Sequence, residues 1–271
     1  MQAIEQMQKD MMPQTTTEIC NQTSTDSECH KCFGTGRYLY VNEDGFEFAR
    51  ECECGCLAKR KMQNRLRFAD IPEAFKDVRL NDFSISVYKE DKSKQTIRNS
   101  CNAIKYWLDN LESMKDRGMG LYLFSEKKGS GKTRMAISIA NELIHKHGIM
   151  VKFATSMQII NEIKSSWNKD SNVSESKLLD HLVTTEVLII DDFGTERATD
   201  WIGEKFYSIV NGRYVDKKIT IFTSNMSLDD LKYDERITNR IKERNYMIPF
   251  PEESIREHIA DSNRMELLGN R

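Results

Sequence analysis

The stretch that decides the fold is LYLFSEKKGSGKTRMA, residues 121–136. Its first four residues are apolar and predict a buried strand, a glycine-bearing loop follows, and a helix is predicted over 133–147. A strand, a loop ending in Gly-Lys-Thr and a helix together form the context of a phosphate-binding P-loop. Backbone N–H groups of such a loop and the positive helix N-terminus face an anion. We therefore expect a nucleotide phosphate site formed by Lys128, Gly129, Ser130, Gly131, Lys132, Thr133 and Arg134.

Two side chains of this loop have expected roles. Lys132 would contact the β- and γ-phosphates, and the Thr133 hydroxyl would bind Mg²⁺. The first glycine of the pattern G-x-x-x-x-G-K-T is replaced by Glu126. A non-glycine residue at positive φ costs roughly 1–2 kcal/mol, so either the loop adapts at Glu126 or nucleotide affinity is reduced. The alternative of an ordinary strand–turn–helix is disfavoured because the flanking segments match as well as the motif.

A second site follows about sixty residues later, at VLIIDD, residues 187–192. Four apolar residues predict a central parallel strand that is buried on both faces. Acids at the carboxyl end of such a strand lie where open α/β sheets bind ligands. Asp191 is expected to hold Mg²⁺ and Asp192 to polarise the attacking water. Many such ATPases have Glu at the second position, and the shorter Asp192 has less reach toward that water.

Further apolar runs predict a sheet. Strands are expected at 150–154 and 219–223, and they alternate with helices expected at 156–166, 175–182 and 199–215. This alternation indicates a parallel sheet covered on both faces. Asn225 follows the last of these strands, so its amide is expected to orient the lytic water. Taken alone, Asn225 would be interpreted as a turn residue.

Length and composition limit the class of protein. A chain of 271 residues has room for one medium domain and a small appendage. The net charge of −2 gives no global basicity that would indicate nucleic acid. No apolar stretch is long enough to span a membrane, and residues 1–18 lack the apolar core of a signal peptide. We therefore expect a cytoplasmic protein, in which seven cysteines indicate metal binding or free thiols rather than disulfides.

Five cysteines cluster in the spacing C-x2-C, nineteen residues, C-x-C-x-C. The segment CHKCFGTG, residues 29–36, resembles a zinc knuckle, and the alternating segment 37–50 predicts a hairpin that returns the second cluster to the first. Four thiolates in tetrahedral array make a closed structural zinc site. The ligands that we select are Cys29, Cys32, Cys52 and Cys54. Cys56 is the alternative to Cys54, and His30 is a weaker substitute. The opposing interpretation is that these are incidental reduced cysteines.

The remaining segments suggest a domain plan. Residues 1–27 are polar and are expected to be flexible, and the module 28–67 ends in a predicted helix that carries five basic residues and no acids. That helix either contacts nucleic-acid phosphates or presents a solvated basic face. Residues 68–90 are expected to be a linker, and 91–271 the large domain. Near the end of this domain, Arg236 and Arg240 lie one helical turn apart. They are either surface charges or the source of an arginine finger for a neighbouring subunit.

Seven motifs together carry a family resemblance: CxxCxGTG, IPEAF…LNDF, GSGKT, VLIIDDFGTE, the GRY and TSN block, ERITNRIKE and SIR. Over roughly residues 28–260 the chain resembles bacterial or phage helicase loaders of the DnaC/DnaI type, which are AAA+ ATPases. The resemblance implies a parallel five-stranded sheet flanked by helices, plus a small N-terminal zinc-binding domain. It also implies site roles, with Lys132 and Thr133 as Walker A, Asp191 and Asp192 as Walker B, Asn225 as first sensor, Arg236 as arginine finger with Arg240 as its competitor, and Arg256 as second sensor.

The resemblance further implies a function in DNA replication. The N-terminal module would hold a hexameric replicative helicase, and the ATPase domains would self-associate, bind single-stranded DNA and help to place the helicase on it. The implied cofactors are ATP or ADP, Mg²⁺ and Zn²⁺. Hydrolysis would be weak in the monomer, because the arginine finger comes from a neighbour. Two alternatives stay open: an IstB-type transposition helper ATPase, and a non-hydrolysing scaffold that holds a partner through its zinc module.

Overall fold

The computed structural model describes residues 29–42, 44–167, 174–196, 199–267 and 269. The chain divides into two compact units, Met1–Lys61 and Met62–Arg271, and this boundary lies within the helix α1, Cys56–Ala69. The expected flexible segment 1–27 lies outside the described residues. Within the part of the chain that is described, no helix is both long and apolar enough to cross a membrane.

The smaller unit contains an antiparallel hairpin. Its strands are β1, Arg37–Val41, and β2, Glu47–Glu51, and they pair with Tyr40 opposite Phe48. The chain enters the hairpin through Gly36, whose φ is +77°, and a Cβ there would lie 2.5 Å from that of Leu57. A two-stranded hairpin is marginally stable by itself, so this unit needs a further source of stability.

The larger unit is built on a five-stranded parallel sheet. Its strands are β3, Gly120–Phe124; β4, Val151–Thr155; β5, Val187–Asp191; β6, Ile219–Ser224; and β7, Asn245–Pro249. The order across the sheet is β4-β5-β6-β3-β7. All five residues of β5 are buried, as expected for a central strand covered on both faces. The sequence analysis identified four of these strands from their own residues and missed β7.

Eight further helices complete the described fold: α2, Asp91–Asp109; α3, Leu111–Arg117; α4, Lys132–His145; α5, Ser156–Ser165; α6, Glu175–Thr184; α7, Asp200–Val215; α8, Glu235–Arg244; and α9, Ile255–Leu267. Strand residues alternate between two cores. Val187 and Ile189 pack in the cluster that includes α2 and α4, whereas Leu188 and Ile190 pack in the cluster that includes α5, α7 and α8. Helices therefore cover both faces of the sheet, and the expected α/β fold is confirmed.

Two features of this fold position the site. Strands β3 and β5 both border β6, so their carboxyl ends meet at one edge, where parallel sheets bind ligands. In addition, the segment 68–90, expected to be a linker, contributes Ala69, Ile71 and Tyr88 to the larger unit's core. It contains three short 3-10 turns, Glu73–Phe75, Leu80–Asp82 and Ile85–Val87.

Candidate nucleotide site and cysteine cluster

The loop between β3 and α4 forms a cradle that only glycine permits. Gly129 and Gly131 have φ values of +80° and +100°, and a Cβ at Gly131 would lie 3.0 Å from the Tyr88 hydroxyl. Helix α4 begins directly after Gly131, so its free N–H groups and positive end face the loop. Ser130 is buried, while Lys128 and Arg134 are exposed. The backbone therefore fits an anion such as a nucleotide phosphate.

Lys132 points into this loop. It is only 5% exposed, and its Nζ donates to the Ser125 carbonyl at 3.1 Å, the Lys127 carbonyl at 3.2 Å and Ser130 Oγ at 3.1 Å. Burial lowers the pKa of Lys132 to about 8, because desolvation disfavours the charged form. A negatively charged phosphate oxygen beside Nζ would favour the charged form of Lys132 again, as expected for a P-loop lysine.

Asp191 and Thr133 are brought together at the carboxyl end of β5. Asp191 Oδ1 accepts hydrogen bonds from Thr133 Oγ1 at 2.9 Å and from Thr223 Oγ1 at 2.6 Å. Burial raises the pKa of Asp191. A carboxylate beside a P-loop hydroxyl is a ligand pair that fits Mg²⁺. Sequence reasoning missed Thr223, although its place at the end of β6, two residues before Asn225, was a usable signal.

The backbone of Asp192 is tightly fixed. Its φ is +54°, its N–H donates to Thr223 Oγ1 at 3.0 Å, and its carbonyl accepts from Ser156 Oγ at 3.1 Å and Thr195 Oγ1 at 2.8 Å. Aspartate tolerates this left-handed conformation better than most residues. Asn225 directly follows β6, the neighbour of β5. Both residues therefore stand at the edge of the sheet that carries the P-loop.

Of the two alternatives at Glu126, the structure shows the one in which the loop adapts, because Glu126 is not at positive φ. Within the described residues, positive φ at a non-glycine position occurs only at Phe33, Asp70, Asp192 and Lys217. The loop instead adapts through hydrogen bonds, because the N–H groups of Glu126 and Lys127 donate to the Glu252 carboxylate at 3.0 and 2.8 Å. Glu252 was missed by sequence reasoning, although it lies only two residues before the SIR motif.

The segment that leads into α9 is fastened to the P-loop at further points. Ser125 Oγ donates to the Pro251 carbonyl at 2.9 Å, and the Ile255 N–H donates to the Gly129 carbonyl at 3.0 Å. A Cβ at Gly129 would lie 3.2 Å from Arg256 Cγ. Arg256 therefore adjoins the P-loop of its own chain.

Glu253 ties the same segment to the residues that precede α2. Its carboxylate accepts from the N–H groups of Lys89 at 2.7 Å and Glu90 at 3.2 Å, and it contacts His258 Nε2 at 2.5 Å. Burial raises the pKa of Glu253, but these hydrogen bonds outweigh burial and lower it to about 2. The Tyr88 hydroxyl donates to the Ser130 carbonyl at 2.7 Å. The segment 68–90 thus supports the loop directly.

The two arginines of α8 differ in accessibility. The side chain of Arg236 is 66% exposed, forms two hydrogen bonds with the Asp234 carboxylate at 2.9 and 3.1 Å, and lies 4.9 Å from the Tyr207 ring centre. Arg240 is held within the fold by Asn211 Oδ1 at 2.8 Å and by the Arg236 carbonyl at 2.8 Å. Arg236 is thus the arginine that a neighbouring molecule can reach more easily.

In the smaller unit, the sulfur atoms of four cysteines lie within 4.8 Å of one another; these are Cys29, Cys32, Cys52 and Cys54. The Cys56 N–H donates to Cys54 Sγ at 3.4 Å. Backbone N–H groups of Cys32 and Lys31 lower the pKa of Cys29 to about 6, whereas burial raises the pKa of Cys52 and of Cys54. Four sulfur donors at this separation fit a tetrahedral Zn²⁺ site.

The chain is similar in sequence to known proteins. Residues 43–256 match the family described as IstB-like ATP binding protein. The phage-like element PBSX protein XkdC of Bacillus subtilis is 27% identical over 248 residues, which cover 89% of this chain and 88% of that protein.

Proteins named replicative helicase loaders match in part. DnaI of B. subtilis is 36% identical over 119 residues, 43% of this chain and 36% of DnaI. DnaC of Buchnera aphidicola subsp. Baizongia pistaciae is 32% identical over 129 residues, 47% of this chain and 52% of that DnaC.

Solved structures share the fold. A crystal structure of the DnaC helicase loader superposes with a TM-score of 0.56 at 24% identity and covers 66% of this chain and all of that one. A crystal structure of DnaI gives 0.54 at 23% identity, over 71% and 99% of the two chains. The expected AAA+ architecture and the resemblance to DnaC/DnaI-type loaders are confirmed.

Proposed function

The chain belongs to the family of IstB-like ATP binding proteins, and we propose that within it the protein loads a hexameric replicative helicase onto single-stranded DNA. One observation carries the proposal. The same chain contains a candidate nucleotide site in its larger unit and a cysteine cluster in a separate, smaller unit. Relatives named replicative helicase loaders are 32% and 36% identical to the chain over 129 and 119 residues. The nucleotide site would supply a switch, and the smaller unit would supply a grip on the helicase.

The P-loop residues would bind ATP. Lys132 and the N–H groups at the start of α4 would hold the phosphates, while Thr133 and Asp191 would hold Mg²⁺. When bound, the metal neutralises charge on the β- and γ-phosphate oxygens. Asp192 would then accept a proton from the attacking water, and Asn225 would orient that water.

Two arginines would complete the site from different chains. Arg256 adjoins Gly129 of its own chain, so it would contact the γ-phosphate in cis. Arg236 is exposed and is oriented by Asp234 and Tyr207, so it would reach the γ-phosphate of a neighbouring copy. Hydrolysis would then depend on self-association into a spiral or ring on the helicase, and the isolated monomer would be a weak ATPase.

The four thiolates would hold structural zinc and stabilise the module 28–67, which would contact the helicase. This arrangement would leave the ATPase domain, 91–271 together with the segment 68–90 that packs in its core, free to self-associate. The marginal stability of an isolated hairpin supports a structural rather than catalytic role for the metal.

A second candidate is an IstB-type transposition helper ATPase, which the family match itself favours. A non-hydrolysing scaffold is the third, since the short carboxylate of Asp192 limits its reach to water. These three candidates differ in partner and in turnover.

The test combines capture with kinetics. Purified full-length chain is mixed with a replicative helicase of its host, and ATP turnover is measured with and without helicase and single-stranded DNA. We expect stable capture and turnover that rises when both are present, with Lys132→Ala as the inactive control. Capture of a transposase instead would support the second candidate, and capture without any turnover would support the scaffold.

A further inference from the structure

The hairpin of the smaller unit has two chemically different faces. The pairing of β1 with β2 puts Tyr38 opposite Arg50 and Tyr40 opposite Phe48. Because side chains alternate along a strand, these four side chains share one face. The opposite face carries both acidic residues of the two strands, and its members are Arg37, Leu39, Val41, Glu47, Ala49 and Glu51. The first face, which we call the aromatic face, is therefore aromatic and cationic.

The aromatic rings are accessible and lie beside positive charges. Tyr40 is 42% exposed and Phe48 is 53% exposed. The Lys31 Nζ lies 4.4 Å from the centre of the Tyr38 ring, and the Arg50 guanidinium lies 5.3 Å from that of Tyr40. Tyr38 and Tyr40 are about 6.6 Å apart along the strand, and Phe48 faces Tyr40 across it. The face thus presents closely spaced rings that alternate with cations.

We propose that the aromatic face, together with Lys31, binds single-stranded DNA. Unpaired bases stack on aromatic rings while neighbouring cations contact the phosphates. Duplex DNA hides the faces of its bases, so it cannot bind in this way. The acids of the strands, Glu47 and Glu51, lie on the other face. The choice of DNA over RNA rests on the proposed loading function, whereas the stacking itself follows from the residues.

The opposite face has the chemistry of a protein contact rather than of a nucleic-acid site. Leu39 and Val41 are 69% and 54% exposed, and Arg37 pairs with Glu51 at 3.8 Å. The two faces therefore provide a matched comparison within one hairpin. Since the aromatic face contains no part of the ATP site, DNA binding there needs no nucleotide.

The test is fluorescence anisotropy with a labelled oligothymidylate of about 20 nucleotides, full-length chain, low salt and no nucleotide. Tyr40→Ala and Phe48→Ala are each expected to weaken binding at least about five-fold, whereas Tyr40→Trp retains it. Leu39→Ala and Val41→Ala are the controls and are expected to bind like the unchanged chain. Arg50→Gln is expected to reduce the slope of log affinity against log salt by about 0.7.

Three outcomes overturn the proposal: unchanged affinity in Tyr40→Ala and Phe48→Ala, an equal loss in the Leu39→Ala control, or tighter binding of an oligouridylate of the same length. Loss of helicase capture with DNA binding unchanged would make the face a protein contact instead. Conversely, DNA binding through this face by a chain that captures no helicase would uphold the inference and remove the proposed loading function.

Discussion

Glu252 holds the start of the P-loop with both carboxylate oxygens, at the place where the usual pattern has a glycine. Two N–H groups converge on one carboxylate, so the loop is fixed by a contact 126 residues away in the chain. Charge-assisted hydrogen bonds of this kind are among the stronger ones. The substitution of glycine by Glu126 is thus accommodated without a left-handed backbone.

This contact predicts the outcome of a pair of substitutions. Glu126→Gly and Glu126→Ala both remove the negative charge, but only glycine would relieve a strained backbone. Because Glu126 is not at positive φ, we expect the two variants to bind ATP with equal affinity, within about two-fold. Isothermal titration calorimetry measures both. An affinity of the glycine variant more than about five-fold above that of the alanine variant would show that the strain exists.

At the residue scale, short-range patterns were predictable and long-range contacts were not. Lys132, Thr133 and Asp191 were selected because each lies in a local motif, and the contact of Thr133 with Asp191 follows because the carboxyl ends of parallel strands meet at one edge of the sheet. The partners Thr223 and Glu252 come from other strands and loops, so their contacts with Asp191 and with the P-loop depend on the tertiary fold more than on spacing within a motif. The segment around Glu252 in particular has the composition of an ordinary surface loop.

Among the elements, the connection between β7 and α9 depends on the ionisation of Glu253. Its pKa of about 2 lies below the ordinary value of 4.5, so folding favours the charged form. The stabilisation is therefore fully present above pH 4.5 and is lost as pH falls toward 2, with a magnitude of about 3 kcal/mol. We expect Glu253→Gln to lower the free energy of unfolding of the larger unit at pH 7.

Denaturant unfolding at several pH values checks this expectation. The difference between the unchanged chain and Glu253→Gln should shrink as the pH decreases from 4.5 toward 2. Glu257→Gln, which removes an exposed carboxylate on the following helix, is the matched control and should show a small difference at every pH. A difference for Glu253→Gln that is independent of pH would contradict the linkage.

The cysteine cluster predicts that the smaller unit depends on metal. Purified chain should contain one zinc, and Cys29→Ser or Cys52→Ser should lose it and unfold the hairpin module. The larger unit should still bind nucleotide, because the two units have separate cores. Metal analysis and circular dichroism measure both effects, with Cys56→Ser as the control that keeps zinc. Retention of zinc in Cys54→Ser together with its loss in Cys56→Ser would show that the fourth ligand was wrongly chosen.

Strands and helices with clear hydrophobic periodicity were predictable from the sequence. The strand β7 and the core residues of the segment 68–90 were not. The strand NYMIP directly follows α8 without a loop and ends in proline, so it lacks the usual boundary signals. The segment 68–90 contains Pro72 and many polar residues, which favoured a linker. Its contribution to the core comes from a few well-spaced residues such as Tyr88, and no periodic pattern marks them.

For the whole molecule, the exposed Arg236 predicts that two neighbouring copies of the chain share each ATP site. Arg236→Ala should leave nucleotide binding by the monomer nearly unchanged and abolish stimulated hydrolysis. Mixing it with Lys132→Ala chains should restore part of the ATP turnover, because one type of boundary in the mixture combines an intact P-loop with an intact arginine. Steady-state turnover of the mixture, compared with each variant alone, measures this.

Arg256→Ala is the control for that experiment. Because Arg256 adjoins its own P-loop, its loss should impair each subunit that carries it, and mixing with Lys132→Ala should restore nothing. If mixed assemblies form and Arg236→Ala shows no rescue, the finger role passes to Arg240.

The most direct test of the loading function uses closed circular single-stranded DNA. A preformed helicase ring cannot thread onto a circle that has no end, so stable association requires that the ring be opened or assembled around the DNA. We predict that the full-length chain with ATP places the helicase on the circle, and that Lys132→Ala does not. Helicase recovered with the circle in equal amounts with and without this protein, or with Lys132→Ala in its place, would contradict the account.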